Sequence, residues 1–208
     1  MSRAPNHHDF APKKRPTQSR SQATFDALVD ATTLLLPKLG YAGTTTNHIA
    51  ARAGVNIASL YEYFPGKDAI VAQVAERLVE RVMGRLEAGA LRVLEKGGRE
   101  AVRLWIELIH ETVAREKDLV AVFLYQVPYA SQLESLRDIT ERLIEFSEEI
   151  RKRAGGTIRA ELSGPSLMLL INLVSSTIMQ IVHELPKGVT RAEMLDELVR
   201  RVEGWVAR

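Results

Sequence analysis

The stretch TTTNHIAARAGVNIASLYEYFPGK, Thr44 to Lys67, decides the reading of this chain. Thr45 can cap a short helix from Thr46 to Ala53, because its hydroxyl accepts from a backbone donor that the first turn leaves unmet. Gly54 follows, where a tight turn requires positive φ. A second short helix is predicted from near Asn56 to about Phe64. Ile49, Ala50, Ala53, Val55, Leu60 and Phe64 fall on one inner face, and Ala50 is small where the two helices must cross closely. The outer face of the second helix then carries Asn56, Ile57, Ala58, Ser59, Tyr61 and Tyr63. Two short helices joined by a glycine turn form a helix-turn-helix, whose second helix enters the DNA major groove. Small, polar and aromatic groups suit a surface that approaches base edges and phosphates.

Working outward, Phe25, Leu28, Val29, Thr32, Leu35, Leu36 and Leu39 repeat at three- and four-residue steps, the signature of one helix face. Pro37 should kink or tighten the last turn, and Gly40 should end it. Residues 1–18 hold three prolines and several charges and are predicted to be a disordered basic arm. Residues 1–67 contain eight Lys/Arg against four Asp/Glu, whereas the rest of the chain is slightly acidic. A basic arm beside a small folded unit points to a polyanionic partner.

Gly and Pro punctuate the remainder into expected helices near 67–95, 98–115, 118–127, 131–153, 164–185 and 190–207. No run alternates as a strand would, so the fold class is all-α: a three-helix N-terminal unit containing the helix-turn-helix, plus a C-terminal helical bundle. The expected domains are the arm at 1–18, a helix-turn-helix domain at 19–66 and a helical domain at 67–208.

The run TTTNHIAARAGVNIASLYEYFPGKDAI resembles the DNA-binding signature of the TetR family of bacterial repressors. The preceding helix and its Gly40–Tyr41 exit resemble that family's first helix, and the resemblance covers roughly residues 19–72. It implies that Thr46 and Asn47, headed by Thr45, meet phosphates at a helix N-terminus, where free N–H groups favour anions. It also implies backbone or base contacts by Tyr61 and Tyr63, and a phosphate contact by Lys67. Asn56, Ile57, Ala58 and Ser59 open the reading helix and should face bases. Ile57 has no hydrogen-bonding group, so its expected contact is a thymine methyl.

One helix-turn-helix reads only a few base pairs, and a homodimer on a palindromic site supplies the missing affinity. The resemblance places the dimer seam on the last two helices. Its expected residues are Leu167, Ile171, Val174 and Ile178 on one, and Met194, Leu198, Val202 and Trp205 on the other. It also implies a small-molecule effector enclosed by the central helices, whose binding moves the helix at 67–95 and respaces the two reading heads. Expected lining residues are Trp105, Phe123, Tyr125, Tyr129, Phe146, Met168, Asn172 and Met179. Few buried charges are evident, so the effector should be small and largely apolar. His110 and His183 should be satisfied by neighbours.

The function expected is therefore transcriptional regulation, in the form of a repressor released by its ligand. The alternative is a constitutive DNA-binding dimer with no small-molecule ligand. No catalytic residues, metal or cofactor are expected. The chain has no cysteine, which removes disulfides, thiolate metal sites and cysteine nucleophiles. A carboxylate-metal bundle needs two Glu-x-x-His pairs, and only Glu107-x-x-His110 has that spacing. The N-terminus has no apolar run of a signal peptide. Leu167–Val182 is interrupted by five polar residues and is read as a buried helix, not a span. Cytoplasmic location without a membrane partner is the corresponding expectation.

Overall fold

The computed structural model describes residues 9–96, 98–153 and 164–206. Every regular element among them is helical. Helix α1 spans Ser19–Gly43, α2 Thr46–Ala53, α3 Ile57–Tyr63, α4 Lys67–Leu94, α5 Gly98–Arg115 and α6 Lys117–Tyr125. A 3-10 turn at Ala130–Gln132 and the short α7 at Glu134–Arg137 precede α8 (Ile139–Arg153), α9 (Pro165–His183) and α10 (Arg191–Val206). The helix expected at 131–153 is thus three pieces. Residues 1–8 of the expected arm and the expected break at Gly155–Gly156 lie outside the described residues.

The chain forms two compact units. The first holds the N-terminal residues up to Leu78 together with Asp118–Leu136, and the second holds Val79–Lys117 and the chain from Arg137 onward. Helix α4 contributes to both, so the division falls inside it and not at residue 66. Residues 118–136 also fold with the N-terminal helices, although they lie far from them in sequence.

In the first unit, Phe25, Leu28, Val29, Thr32 and Leu36 are buried along α1, as their period implies. Leu39 is exposed, because it lies past Pro37 where the helix is ending. Helix α1 packs on α2 and α3. The ring of Phe25 lies 4.7 Å from Phe64 and 6.1 Å, edge-on, from Tyr63. Arg77 on α4 pairs with Asp26 and, at 2.9 Å, with Asp30 on α1.

Gly40 kinks the end of α1 at φ 68° and ψ 172°. A Cβ there would lie 2.5 Å from Gln126 Oε1, the oxygen that accepts the Tyr41 amide N–H. Two demands therefore meet at one residue: a backbone region almost reserved for glycine, and room for a side chain from a distant segment. Gly40→Ala is expected to cost about 2–4 kcal/mol, from backbone strain of ~1–3 kcal/mol plus the displaced hydrogen bond of ~1 kcal/mol. Urea unfolding checks this, and an unchanged midpoint would contradict it.

In the second unit, α5, α9 and α10 share an apolar core of Ile106, Val113, Leu170, Val174, Ile178, Ile181, Leu198, Val199 and Val202. Arg99 pairs with Glu203 at 3.5 Å and Arg103 with Asp196 at 2.8 Å, so α5 and α10 run antiparallel. Helix α10 starts with a reciprocal cap: Thr190 N–H donates to Glu193 Oε2 at 2.8 Å, and Glu193 N–H to Thr190 Oγ1 at 3.2 Å. Helix α9 starts at Pro165, whose missing N–H costs nothing in a first turn. By length and composition alone α9 could cross a membrane; its Leu167, Leu170, Val174, Ile178 and Ile181 are buried within the protomer.

Candidate nucleic-acid interface and effector cavity

Helix α2 starts where Thr45 accepts the His48 amide N–H at 3.2 Å. It ends at Gly54, which is left-handed at φ 69° and ψ 29°. No atom lies within 4 Å of where a Gly54 Cβ would stand, so conformation and not crowding requires glycine here. Helix α3 starts one residue after Asn56, whose Oδ1 accepts the Ala58 amide N–H at 2.9 Å. Ile49, Ala50, Leu60 and Phe64 are buried, and Ala53 and Val55 are half-buried. Local capping and an apolar inner face therefore set the two helices as the sequence predicts.

The outward surface gathers most of the expected DNA-contacting residues. Thr45, Asn47, Asn56, Ala58 and Tyr61 are exposed, and Thr46, Ile57 and Ser59 are half-buried. The hydroxyls of Thr46 and Tyr61 lie 3.2 Å apart, tying the N-terminus of α2 to the outer face of α3. Asn56 has a further duty as the cap of α3. Tyr63 departs from the expectation: it is only 6% exposed and its ring packs edge-on to Phe25. At the C-terminal end of this short helix, the ring turns toward α1 and the outward position falls to Tyr61.

Residues 13–15, expected to be disordered, are laid against this unit. The Lys13 backbone N–H donates to Tyr63 O at 2.7 Å, and its ammonium to Tyr61 O at 3.0 Å. These carbonyls end α3, where a helix leaves acceptors unmet and favours a cation. Lys14 lies 5.0 Å over the Tyr63 ring and 3.8 Å from Glu62, and Arg15 pairs with Glu76 at 3.4 Å. The sequence shows the three basic residues but not the two carbonyls that hold Lys13.

Lys67, at the start of α4, donates to Tyr41 O at 2.8 Å and stands 3.8 Å over the Tyr41 ring. Burial lowers its pKa, opposed by the neighbouring Asp68 carboxylate. Asp68 Oδ1 accepts from both phenols, Tyr41 at 2.7 Å and Tyr129 at 2.9 Å. The Tyr41 hydroxyl is pushed up to about 12, by burial first and then by Asp68; burial raises Tyr129 as well. This cluster joins the exit of α1, the start of α4 and the 126–129 segment within one unit. Asp68 and Gln126 went unnoticed in the sequence, since nothing local marks partners 27 to 85 residues away.

The second unit contains a cavity of about 340 Å³. Trp105, Asn172 and Met179 line it, as expected. Phe146 is not in the lining; its ring lies tilted, 5.8 Å from that of Trp105. The other expected lining residues do not reach it. Phe123, Tyr125 and Tyr129 belong to the first unit, where Phe123 and Tyr129 are buried and Tyr125 is exposed. Met168 is exposed on α9. Aromatic character selected these residues, whereas the cavity is mostly aliphatic.

The expected dimer residues divide into buried and exposed sets. Leu167, Val174, Ile178, Leu198 and Val202 are buried within one chain, and Ile171 lines the cavity. Met194 packs half-buried on the core, and Trp205 is exposed. The apolar residues that α9 leaves exposed are Met168, Leu169 and Leu173. His110 also differs from expectation: its Nε2 is buried without a hydrogen-bond partner among the described residues. Burial and Arg191 lower its pKa. Glu107 pairs with Arg103 at 3.6 Å.

The fold and the outward face of α2 and α3 define a helix-turn-helix protein. Residues 28–74 match the family described as bacterial regulatory proteins, tetR family. The chain is 22% identical over 184 residues to YuxN, an uncharacterized HTH-type transcriptional regulator of Bacillus subtilis (strain 168). That match covers 86% of this chain and 62% of YuxN, so the chain spans about three fifths of that relative's length. A TetR-family transcriptional regulator structure from Mesorhizobium loti MAFF303099 superposes with a TM-score of 0.69 at 16% identity, covering 90% of this chain and 96% of that one. The fatty acid degradation regulator FadR from Bacillus halodurans gives 0.65 at 14% identity, covering 91% and 97%. At these identities the structures share the fold.

Proposed function

We propose that this chain is a sequence-specific DNA-binding transcriptional regulator, a homodimeric repressor released from a palindromic operator by a small, largely apolar ligand. The observation that carries the reading is the outward face of α2 and α3, where the Thr46 and Tyr61 hydroxyls are joined at 3.2 Å beside exposed Asn47 and Asn56. Lys67 adds a cation at the start of α4, and Lys13 and Lys14 lie beside the end of α3. The second copy would seat on Met168, Leu169 and Leu173, the apolar face of α9 that one chain leaves exposed. The mostly apolar cavity supports the ligand. The regulator reading assigns the chain no catalysis and a place in the cytoplasm.

The test is fluorescence anisotropy on DNA from upstream of this protein's own gene, against a scrambled duplex, over a series of salt concentrations. Selective binding is expected, and Tyr61→Ala should weaken it about tenfold or more, the size of one good base or phosphate contact. Equal, steeply salt-dependent binding to both duplexes would reduce the reading to phosphate contacts alone. No binding at low salt would overturn it.

A further inference from the structure

The cavity is long as well as apolar. On α4 its lining residues begin at Val82, pass Leu86 and Ala90, and reach Leu94. On α5 they run from Ala101 to Val113, and on α9 from Leu167 to Met179. On α4 and α5 each set keeps to one helix face, whereas on α9 the neighbours Leu170, Ile171 and Asn172 all line the cavity and that helix presents a broader side. Each set also spans thirteen residues, twelve rises of 1.5 Å or about 18 Å. Three helices thus give one length, and the cavity lies along them as a channel.

Volume fixes what such a channel holds. A cavity of about 150 Å³ accepts benzene, so 340 Å³ accommodates about 14 non-hydrogen atoms. Fourteen atoms fill a channel of that length only when they are joined in a line. A fused-ring molecule with as many atoms is too wide and would leave much of the length empty.

The two ends differ. At the far end Val82 and Val113 line an apolar floor, beyond which Arg81 and Arg85 are committed to Glu116 at 3.0 and 2.9 Å. At the other end lie Lys96, Ala101 and Val206. Lys96 is the one charged lining residue among those described. Its ammonium pairs at 3.1 Å with Glu100, and both side chains are about half exposed. An exposed pair of this kind holds weakly and can be exchanged for another anion.

We infer that the occupant is a linear amphiphile: an unbranched apolar chain of about 12 carbons with one anionic head group, the chain in the channel and the head at Lys96. This rests on the reading of the cavity as an effector site. It narrows "largely apolar" to a shape and a charge.

Isothermal titration calorimetry on the full chain without DNA tests it, with dodecanoate, dodecanol and 1-naphthoate as probes. Dodecanoate is expected to bind about tenfold tighter than dodecanol, the size of one charge-assisted hydrogen bond. It should also bind more tightly than naphthoate, which has a similar atom count and the same head group. Lys96→Met should bring dodecanoate to the level of dodecanol and leave dodecanol unchanged. Ala90→Phe, which fills the channel midway, should weaken both chains; if that variant unfolds, the Lys96 comparison still decides. Naphthoate binding as tightly as dodecanoate would overturn the shape, and a Lys96→Met protein that still prefers dodecanoate would overturn the head-group site. No binding of any probe would overturn both. A chain that binds dodecanoate but no operator would remove the regulator reading and leave the ligand class standing. Release of DNA by a compact or uncharged ligand alone would do the reverse.

Discussion

Tyr129→Ala is expected to destabilise the first unit by about 3–5 kcal/mol, the usual cost of emptying a large aromatic site. Tyr129 is fully buried, with Phe10 at 4.9 Å and Tyr41 edge-on at 5.7 Å. Its hydroxyl donates to Asp68, so the variant loses a hydrogen bond to a carboxylate as well as the ring. Tyr129→Phe keeps the ring and should cost only about 1–2 kcal/mol, because Tyr41 still donates to Asp68. The gap between the two variants in urea midpoint separates packing from hydrogen bonding, and equal losses would contradict the assignment. The cluster also predicts a response to base. Tyr41 binds its proton more tightly when folded than the ordinary value of 10.0. Its contribution is therefore full below pH 10 and is lost as pH rises toward about 12. Ultraviolet titration should show phenols that ionise late, together with unfolding.

The second large effect is expected at Glu116. Its carboxylate accepts from Arg81 at 3.2 and 3.0 Å and from Arg85 at 2.9 Å, with the side chain only 11% exposed. Burial pushes its pKa up, but the hydrogen bonds from Arg81 and Arg85 outweigh this and hold it below the ordinary 4.5. Glu116→Ala leaves two guanidinium groups facing each other without their shared counter-charge. Full burial would make this cost ~3–5 kcal/mol, and the partly exposed arginines bring it to about 2–3 kcal/mol. A depressed carboxylate stabilises above its unfolded value and loses that contribution as pH falls. The wild-type chain should therefore weaken below pH 4.5, and Glu116→Ala should flatten that acid limb. Thermal unfolding from pH 7 to pH 3 reads both effects, and a variant that keeps the full acid limb would contradict the role of Glu116.

The helix-turn-helix is legible because its causes are local. Thr45 and Asn56 cap with their own side chains, Gly54 supplies a positive φ, and Ile49, Ala50, Leu60 and Phe64 share a face by spacing alone. Each cause acts within about four residues, which is the range over which a sequence can be read without a fold. The helix order, the fold class and the outward set from Thr45 to Tyr61 follow from it.

Where a segment is apolar all round, or where its partner lies far along the chain, the sequence is silent and tertiary packing decides. Helix α9 is apolar on nearly every side, so periodicity could not say which side meets α5 and α10. Packing buried Leu167, Val174 and Ile178 and left Met168, Leu169 and Leu173 outside. Aromatic residues were read as cavity lining, yet Tyr129 went to Asp68 and Tyr125 to the surface, because a buried phenol goes where an acceptor is. Lys13 and Lys14 read as a free basic tail, yet the carbonyls of Tyr61 and Tyr63 hold Lys13, and the Tyr63 ring and Glu62 face Lys14. The sequence by itself determined the helices of the first unit and the outward surface of α2 and α3 through short-range hydrogen bonding and hydrophobic period. Only the tertiary structure decided which apolar faces are core, which line the channel and which remain open, since burial is a property of what lies opposite.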